Sequence, residues 1–280
     1  RRPQVTLIDA SVHSSVDVGG HDPPGTGRYE PRVRVDPCGQ PCRAADHAQR
    51  GAARRGGVEA LVFSSTCATY GDPVRLPMDE THPQAPLNPY GRSKLMIEQA
   101  LADYSTYAGF RSVSLRYFNA AGADEEGRIG ERHHPETHAI PLAVQTALGV
   151  RQGFKLFGDD YDTRDGTAVR DYIHVMDLAD AHVRALRYLL DGGETTAINL
   201  GTGAGTTVKE LVETIRRTTN RPFPVQVVER RPGDAPCLVA NNTRAREVLG
   251  WTPTRTLDDI VRTAWRWHAA EIERSPREPA

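Results

Sequence analysis

Tyr90 and Lys94 stand four residues apart in N-P-Y-G-R-S-K, and Ser64-Ser65-Thr66 lies about two dozen residues upstream. Four residues is close to one helical turn, so a helix starting near Asn88 puts the phenol and the ammonium on one face. An ammonium beside a phenol favours the phenolate and lowers the tyrosine pKa from its ordinary value of about 10. A hydroxyl at the end of a neighbouring strand can extend the pair into a proton relay. That set suits removal of a proton from an alcohol while a hydride leaves for a nicotinamide. Tyr and Lys at helical spacing are common on surfaces, so the signal takes its weight from context. The context is an apolar run, VFSSTCATYG from Val62 to Gly71, that begins as a strand and ends in a turn, and Pro89, which suits a first helical position.

The elements that must position these groups begin near Val58, where short apolar runs alternate with amphipathic stretches. That alternation is the signature of βαβ units and a parallel sheet. The pattern predicts strands at Ala60–Ser64, Ser112–Tyr117 and Ala197–Leu200. It predicts helices at Pro89–Tyr107, Ile140–Leu148, Val175–Leu190, Val208–Thr218 and Leu257–Ala269, and a short one near Thr243–Leu249. Asp177 marks one helix start, Thr207-x-x-Glu210 reads as a capping box, and Gly250 as a helix stop. The expected fold class is α/β, a Rossmann-like doubly wound parallel sheet with a smaller C-terminal substrate domain. Residues 1–57 form an atypical segment, 58–118 part of a dinucleotide-binding domain that regains a strand at 197–200, and 119–280 mainly a nucleotide-sugar-binding region.

Composition narrows the function. The 280 residues carry a net charge of −1, so nothing points to nucleic acid or an anionic membrane. No apolar run approaches the ~20 residues of a membrane span, and no signal peptide is visible. Cys38, Cys42, Cys67 and Cys237 are too few and too scattered for a disulfide framework, which makes a reducing cytoplasm the expected setting. Cys38 and Cys42 lie near His47 but lack a second pair, so no metal site is assigned. Lysine occurs only at positions 94, 155 and 209, which makes Lys94 hard to dismiss as filler.

Further runs fall in a fixed order. Arg116-Tyr117-Phe118-Asn119 closes a strand, and Val169-Arg170-Asp171-Tyr172-Ile173-His174-Val175 precedes a helix. Asn199-Leu200-Gly201-Thr202-Gly203 ends another strand, and Arg230-Arg231-Pro232-Gly233-Asp234 follows in the C-terminal third. With the Ser/Thr strand end and Y-x-x-x-K, this order resembles the extended short-chain dehydrogenase/reductases, with the nearest likeness to the UDP-glucose 4-epimerases. The resemblance runs from about Val58 to His268.

It implies NAD retained between turnovers, a hydride moved from sugar C4 and returned to the other face, and a UDP-sugar substrate. It implies Tyr90 as general base and acid, Lys94 on the nicotinamide ribose, and Thr66 as proton shuttle. Ser64, Tyr117 and Phe118 would lie at the cofactor. Asn119, Arg170 and Arg231 would hold the diphosphate, Asp234 a ribose hydroxyl and Phe157 the uracil. Leu238 would border the sugar C2 substituent, and His138 would replace an asparagine on the sugar or uridine side. Family members are commonly homodimers.

Plainer readings apply to other residues in these runs. Asp171 and His174 read as local hydrogen-bonding partners, Asn199-Leu200-Gly201 as a strand end, Tyr70 as packing beneath the turn, and Cys67 as a small buried residue. Related 4,6-dehydratases carry an Asp-Glu pair directly after the strand-end hydroxyl. Cys67-Ala68 stands there, which favours epimerisation. The alternatives are another nucleotide-sugar 4-epimerase, or an inactive remnant of the family.

The remnant reading arises because no G-x-x-G-x-x-G turn follows a strand. Gly19-Gly20 and Pro24-Gly25-Thr26-Gly27 have the wrong spacing for one. Either Val5–Asp9 is a second strand whose Asp9 meets the adenosine ribose, or the segment to about Gly57 is foreign to the family, as a shifted reading frame would make it; the second is favoured. On both readings the first βαβ unit is missing or altered, and the strand at Ala60–Ser64 is expected to lose flanking strands and present an unpaired edge.

Overall fold

The computed structural model describes residues 4–8, 58–231 and 233–274. The first sheet is wholly parallel, in the order β1 (Gln4–Ile8), β2 (Val58–Thr66), β3 (Arg111–Tyr117) and β8 (Thr196–Leu200). Side chains alternate between the two faces of a strand, and both faces of this sheet are covered, as a parallel sheet requires. On one face Ala60, Val62, Val113, Leu115, Ile198 and Leu200 pack on Leu178, Ala181, Ala185 and Leu189 of α3 (Val175–Leu190). Ala245 and Leu249 of α5 (Thr243–Leu249), with Trp251, close that core. On the other lies α1 (Pro89–Ala108), burying Gly91, Lys94, Glu98 and Leu101. The expected α/β, Rossmann-like architecture is present.

The pairing of β1 with β2 overturns one expectation. Val5 to Ile8 run in register with Ala60 and Leu61–Phe63, so the apolar strand is flanked on both sides rather than left as an edge. The reading of Val5–Asp9 as a second strand also changes. In the doubly wound order 3-2-1-4-5-6 a second strand pairs with the first and third. β1 instead lies directly against the strand that ends in the Ser/Thr turn. Asp9, the Gly19–Gly27 stretch, Cys38, Cys42 and His47 lie outside the described residues.

The rest of the chain builds a second core. Helices α2 (Ala139–Ala147), α4 (Val208–Thr219) and α6 (Leu257–Arg274) pack together over the strand pair β5 (Phe154–Phe157) and β10 (Val225–Val228). Ile140, Val144, Leu211, Ile215, Ile260 and Val261 form its centre. Thr207 and Glu210 form the capping box at the start of α4, and Gly250 ends α5 in the left-handed region at φ 60°. The start of α3 carries the expected Asp177 signal and adds a cap that the sequence reading did not name. His174 is the N-cap, its Nδ1 accepting from Met176 N at 3.0 Å. Asp177 sits in the first turn, where its carboxylate accepts from Thr254 N, Arg255 N and the Arg255 guanidinium. Short pairings join the two parts: β4 (Asn119–Ala121) with β7 (Tyr172–His174), and β6 (Val169–Arg170) with both β11 (Cys237–Leu238) and β9 (Thr206–Thr207).

Between α1 and the sheet lies a buried ion pair. Glu98 and Arg116 are each 7 % exposed at the side chain, with Nη2 2.5 Å from Oε2 and Nε bonded to both carboxylate oxygens at 3.0 and 3.1 Å. Ser65 Oγ and Gln84 Nε2 also donate to Glu98. Arg116 Nη1 donates to the Tyr70 hydroxyl at 3.0 Å, which donates to Asn199 Oδ1 at 2.6 Å. Burial pushes the Tyr70 phenol up to about 12, with the Arg116 charge pulling the other way.

Removing one partner of a buried pair strands the other charge. Glu98→Ala should therefore lower unfolding stability by about 3–5 kcal/mol. Arg75→Ala, which breaks the exposed Arg75–Asp79 pair, should cost less than about 1 kcal/mol. Urea unfolding followed by circular dichroism reads both; equal losses would show that the buried pair carries no special constraint.

Candidate active site

Thr66 ends β2 and caps the single 3₁₀ turn Cys67–Thr69, its Oγ1 accepting from Ala68 N at 3.1 Å. Thr69 Oγ1 donates back to Thr66 O at 3.0 Å. The turn fixes the direction in which the strand end points. Facing it, Asn88 caps α1 by accepting from Gly91 N at 2.8 Å, with Pro89 in the first turn as its fixed φ suggests. Gly91 lets the two ends interlock: a Cβ there would run into the Ala68 carbonyl oxygen and stand 2.9 Å from Pro86 Cβ.

One turn along, Lys94 is buried at 3 % exposure. Its Nζ donates to Ser64 O at 2.9 Å and lies 5.1 Å from the Phe63 ring centroid and 5.6 Å from that of Tyr90. Tyr90 is half-buried. The structure thus gathers Tyr90, Lys94 and Thr66 at the carboxyl end of a parallel strand, where ligands of open α/β sheets bind.

Of the residues assigned to the cofactor, Ser64 bonds within the protein: its Oγ is 3.0 Å from His182 Nε2, while His182 Nδ1 lies 2.7 Å from Leu178 O. A carbonyl only accepts, so Nδ1 carries the proton and, in the neutral ring, Nε2 accepts from Ser64. Tyr117 stands on the same face, tilted toward His182 with centroids 6.4 Å apart. Phe118 is 6 % exposed in a small cluster with Tyr70, Met78 and Ala240.

The substrate candidates fall into groups. Asn119 Nδ2 donates to Asp171 O at 3.3 Å. Arg170 Nη1 donates to Val169 O and Ala235 O, and its Nη2 lies 3.8 Å from Asp234 Oδ1. Leu238 is the strand partner of Arg170. Phe157 pairs with Val228, and Arg231 folds back from the end of β10 to stack its guanidinium 3.7 Å from the Phe157 ring centroid. His138 belongs to a different grouping, with Glu131 and Glu136. Both carboxylates, Glu131 first, push its imidazole up to about 10.

Sequence reasoning missed Glu98 as the lock beneath the site. Its signal was the spacing Tyr90, Lys94, Glu98, which continues the same helical face inward. Asp171 behaves as the local partner it was read to be, but with wide reach: its carboxylate accepts from Thr202 N, Thr202 Oγ1, Gly203 N and Ala240 N at 2.6–3.1 Å. Cys67 is only partly covered as a residue. Its thiol is nonetheless crowded, and desolvation pushes it up to about 12 against the pull of Arg170.

A family model for GDP-mannose 4,6 dehydratase matches residues 51–264. A UDP-glucose 4-epimerase from Rhizobium leguminosarum bv. trifolii is 67 % identical over 218 residues, covering 78 % of this chain and 67 % of the relative. The chain spans about two thirds of the length of the curated relatives it matches. Among solved structures, the UDP-glucose-4-epimerase from Stenotrophomonas maltophila with bound NAD and formylated UDP-arabinopyranose aligns with a TM-score of 0.80 at 40 % identity. That alignment covers 83 % of this chain and 70 % of the other. The Bifidobacterium longum UDP-glucose 4-epimerase in complex with NAD+ and UDP aligns at 0.75 and 37 %, covering 80 % and 67 %.

Gly91→Ala should force apart the interlocked ends of strand and helix. The expected loss of about 1–3 kcal/mol is that of an overpacked core, read by thermal unfolding; an unchanged midpoint would refute the interlock. Cys67, its thiol pushed up by burial, should take up iodoacetamide at pH 8 at least about tenfold more slowly in the folded chain than in urea. Peptide mapping isolates it from the other cysteines, and equal rates would contradict the desolvated setting.

Proposed function

The chain belongs to the family of nucleotide-sugar epimerases and dehydratases, among the UDP-glucose 4-epimerases, and on that footing we propose that it interconverts UDP-glucose and UDP-galactose at sugar C4 with NAD. The observation that carries this reading is the buried Lys94 ammonium, anchored on the Ser64 carbonyl beside the Tyr90 ring. The nicotinamide end of NAD fits there, since a fixed cation and a phenol meet at the carboxyl end of parallel strands. When bound, NAD would supply the hydride acceptor for sugar C4 and the donor for its return to the opposite face.

The protein's own groups do the rest. Tyr90 takes the proton of the sugar 4-hydroxyl and later gives it back. Lys94 favours the phenolate and offers its ammonium to the nicotinamide ribose. Thr66, held by the turn it caps, is the hydroxyl between strand end and sugar oxygen. Ser64, Tyr117 and Phe118 shape the floor of the cofactor site. Arg170 and Arg231 meet the diphosphate with planar forks, joined by Asn119, with His138 on the sugar or uridine side. Phe157 faces the uracil, Asp234 a ribose hydroxyl, and Leu238 the C2 substituent. The absence of an acid pair at Cys67-Ala68 supports C4 chemistry over elimination of water.

No helix among the described residues is long and apolar enough to cross a membrane. A cytoplasmic homodimer suits the free Cys67 and Cys237 and the exposed Met96 and Ile97 on α1. A second reading, a chain that binds the nucleotide sugar without turning it over, is favoured by one observation: no G-x-x-G-x-x-G run occurs in the 280 residues.

The test separates the two. Purified chain is extracted and assayed for NAD, then given UDP-galactose with NAD added. We expect bound NAD and formation of UDP-glucose, with Tyr90→Phe reducing kcat on the order of 10²–10⁴-fold at little change in KM. UDP binding without turnover would overturn the epimerase reading and leave the second.

A further inference from the structure

A group of metal-ligating side chains lies in the loop that leads into α2. His133, Glu136 and His138 each offer one ligand atom, and these atoms lie within 4.8 Å of one another. The sequence spacing is H-x-x-E-x-H, well separated along the chain from Cys38, Cys42 and His47. Glu131 accepts from His138 Nδ1 and orients that ring, the role a carboxylate plays behind a metal-bound histidine. The Glu136 carboxylate is 4 % exposed, and its Oε1 accepts from Thr137 N and His138 N at 2.8 Å each.

The loop is braced from below. Trp267 Nε1 of α6 donates to Glu131 O at 2.9 Å, a Cβ at Gly130 would collide with the Trp267 ring, and Arg132 pairs with Glu271 of the same helix. The His133 and His138 rings stand 5.3 Å apart at 46°. Two imidazoles and one carboxylate meet on a braced loop with a second carboxylate behind His138, a nitrogen and oxygen donor set of the kind that zinc-class divalent cations take. Ligand atoms around a tetrahedral ion are roughly 3.3 Å apart at bond lengths of about 2.0–2.1 Å, within reach by side-chain rotation.

We propose that His133, Glu136 and His138 bind one divalent transition-metal ion, with Glu131 as the carboxylate that orients His138. His133, Glu136 and His138 are distant in sequence from Tyr90, Lys94 and Thr66; His138 is also a substrate candidate, and a metal titration reads the site without turnover, so the two readings fail separately. A cation there staples the loop to the start of α2 above the end of α6.

The test is a titration of the chelator-treated full chain with Co(II), whose d–d absorption reports a low-symmetry protein site. One equivalent with visible bands, displaced by Zn(II), is expected. His133→Ala and His138→Ala should each weaken it tenfold or more, while the Cys38→Ser/Cys42→Ser double variant keeps it. Bands lost in the cysteine variant but not in the histidine variants would overturn the site, as would no binding at millimolar Co(II), which would leave the cluster a carboxylate–imidazole hydrogen-bond group only. If the histidine variants do not fold, selective broadening of the His133 and His138 imidazole NMR signals in the unaltered chain by one equivalent of Co(II) decides the same question. Broadening confined to other histidines refutes the proposal.

Discussion

The chemistry of this chain hangs on one buried ion pair. Arg116 on β3 and Glu98 on α1 neutralise each other between helix and sheet, and the pair spreads to Ser65 on β2, Gln84, Tyr70 and, through Tyr70, Asn199 on β8. Desolvating two charges is costly and seldom a net source of stability. What it supplies is registry. An apolar helix face could slide or roll on the sheet by a turn, whereas a guanidinium bonded to both oxygens of one carboxylate permits a single seating. Glu98 lies one turn beyond Lys94 and two beyond Tyr90, so the seating that satisfies Arg116 also brings Lys94 to the Ser64 carbonyl.

A second hub joins the first sheet to the second part of the chain. The Asp171 carboxylate gathers the turn after β8 and the start of the segment after β11, and its backbone carbonyl accepts from Asn119. Gly201 is required there, because a Cβ would meet Asp171 Oδ2 at 2.5 Å. One residue therefore ties together the loops that carry Asn119, Arg170 and Leu238.

What could be read in the sequence was local. Helix starts and stops were legible in Pro89, the Thr207–Glu210 capping box and Gly250, because each acts within one turn of its own chain. The Y-x-x-x-K face was legible for the same reason. Pairings between distant segments were not. β1 against β2, Arg116 with Glu98, Ser64 with His182 and the burial of Phe118 depend on which strands become neighbours, and periodicity is silent on that. His174 was not legible as the cap of α3; Asp177, legible as an acidic signal in its first turn, bonds to Thr254 and Arg255 more than seventy positions later. The His133–His138 grouping escaped notice because it falls in a loop, where no periodic pattern draws attention to spacing.

The missing side chain at Gly91 has a consequence for motion. Helix and strand end touch there backbone to backbone, and backbone contacts have no rotamers through which to yield. The ring of Tyr90, one residue away, is therefore left with little more than its own two side-chain torsions to adjust. The segment after β10 is the contrast: Arg231 and Asp234 are exposed there, on side chains with rotamers to spare. One wall of the site is an anvil, and the adaptability belongs to the other.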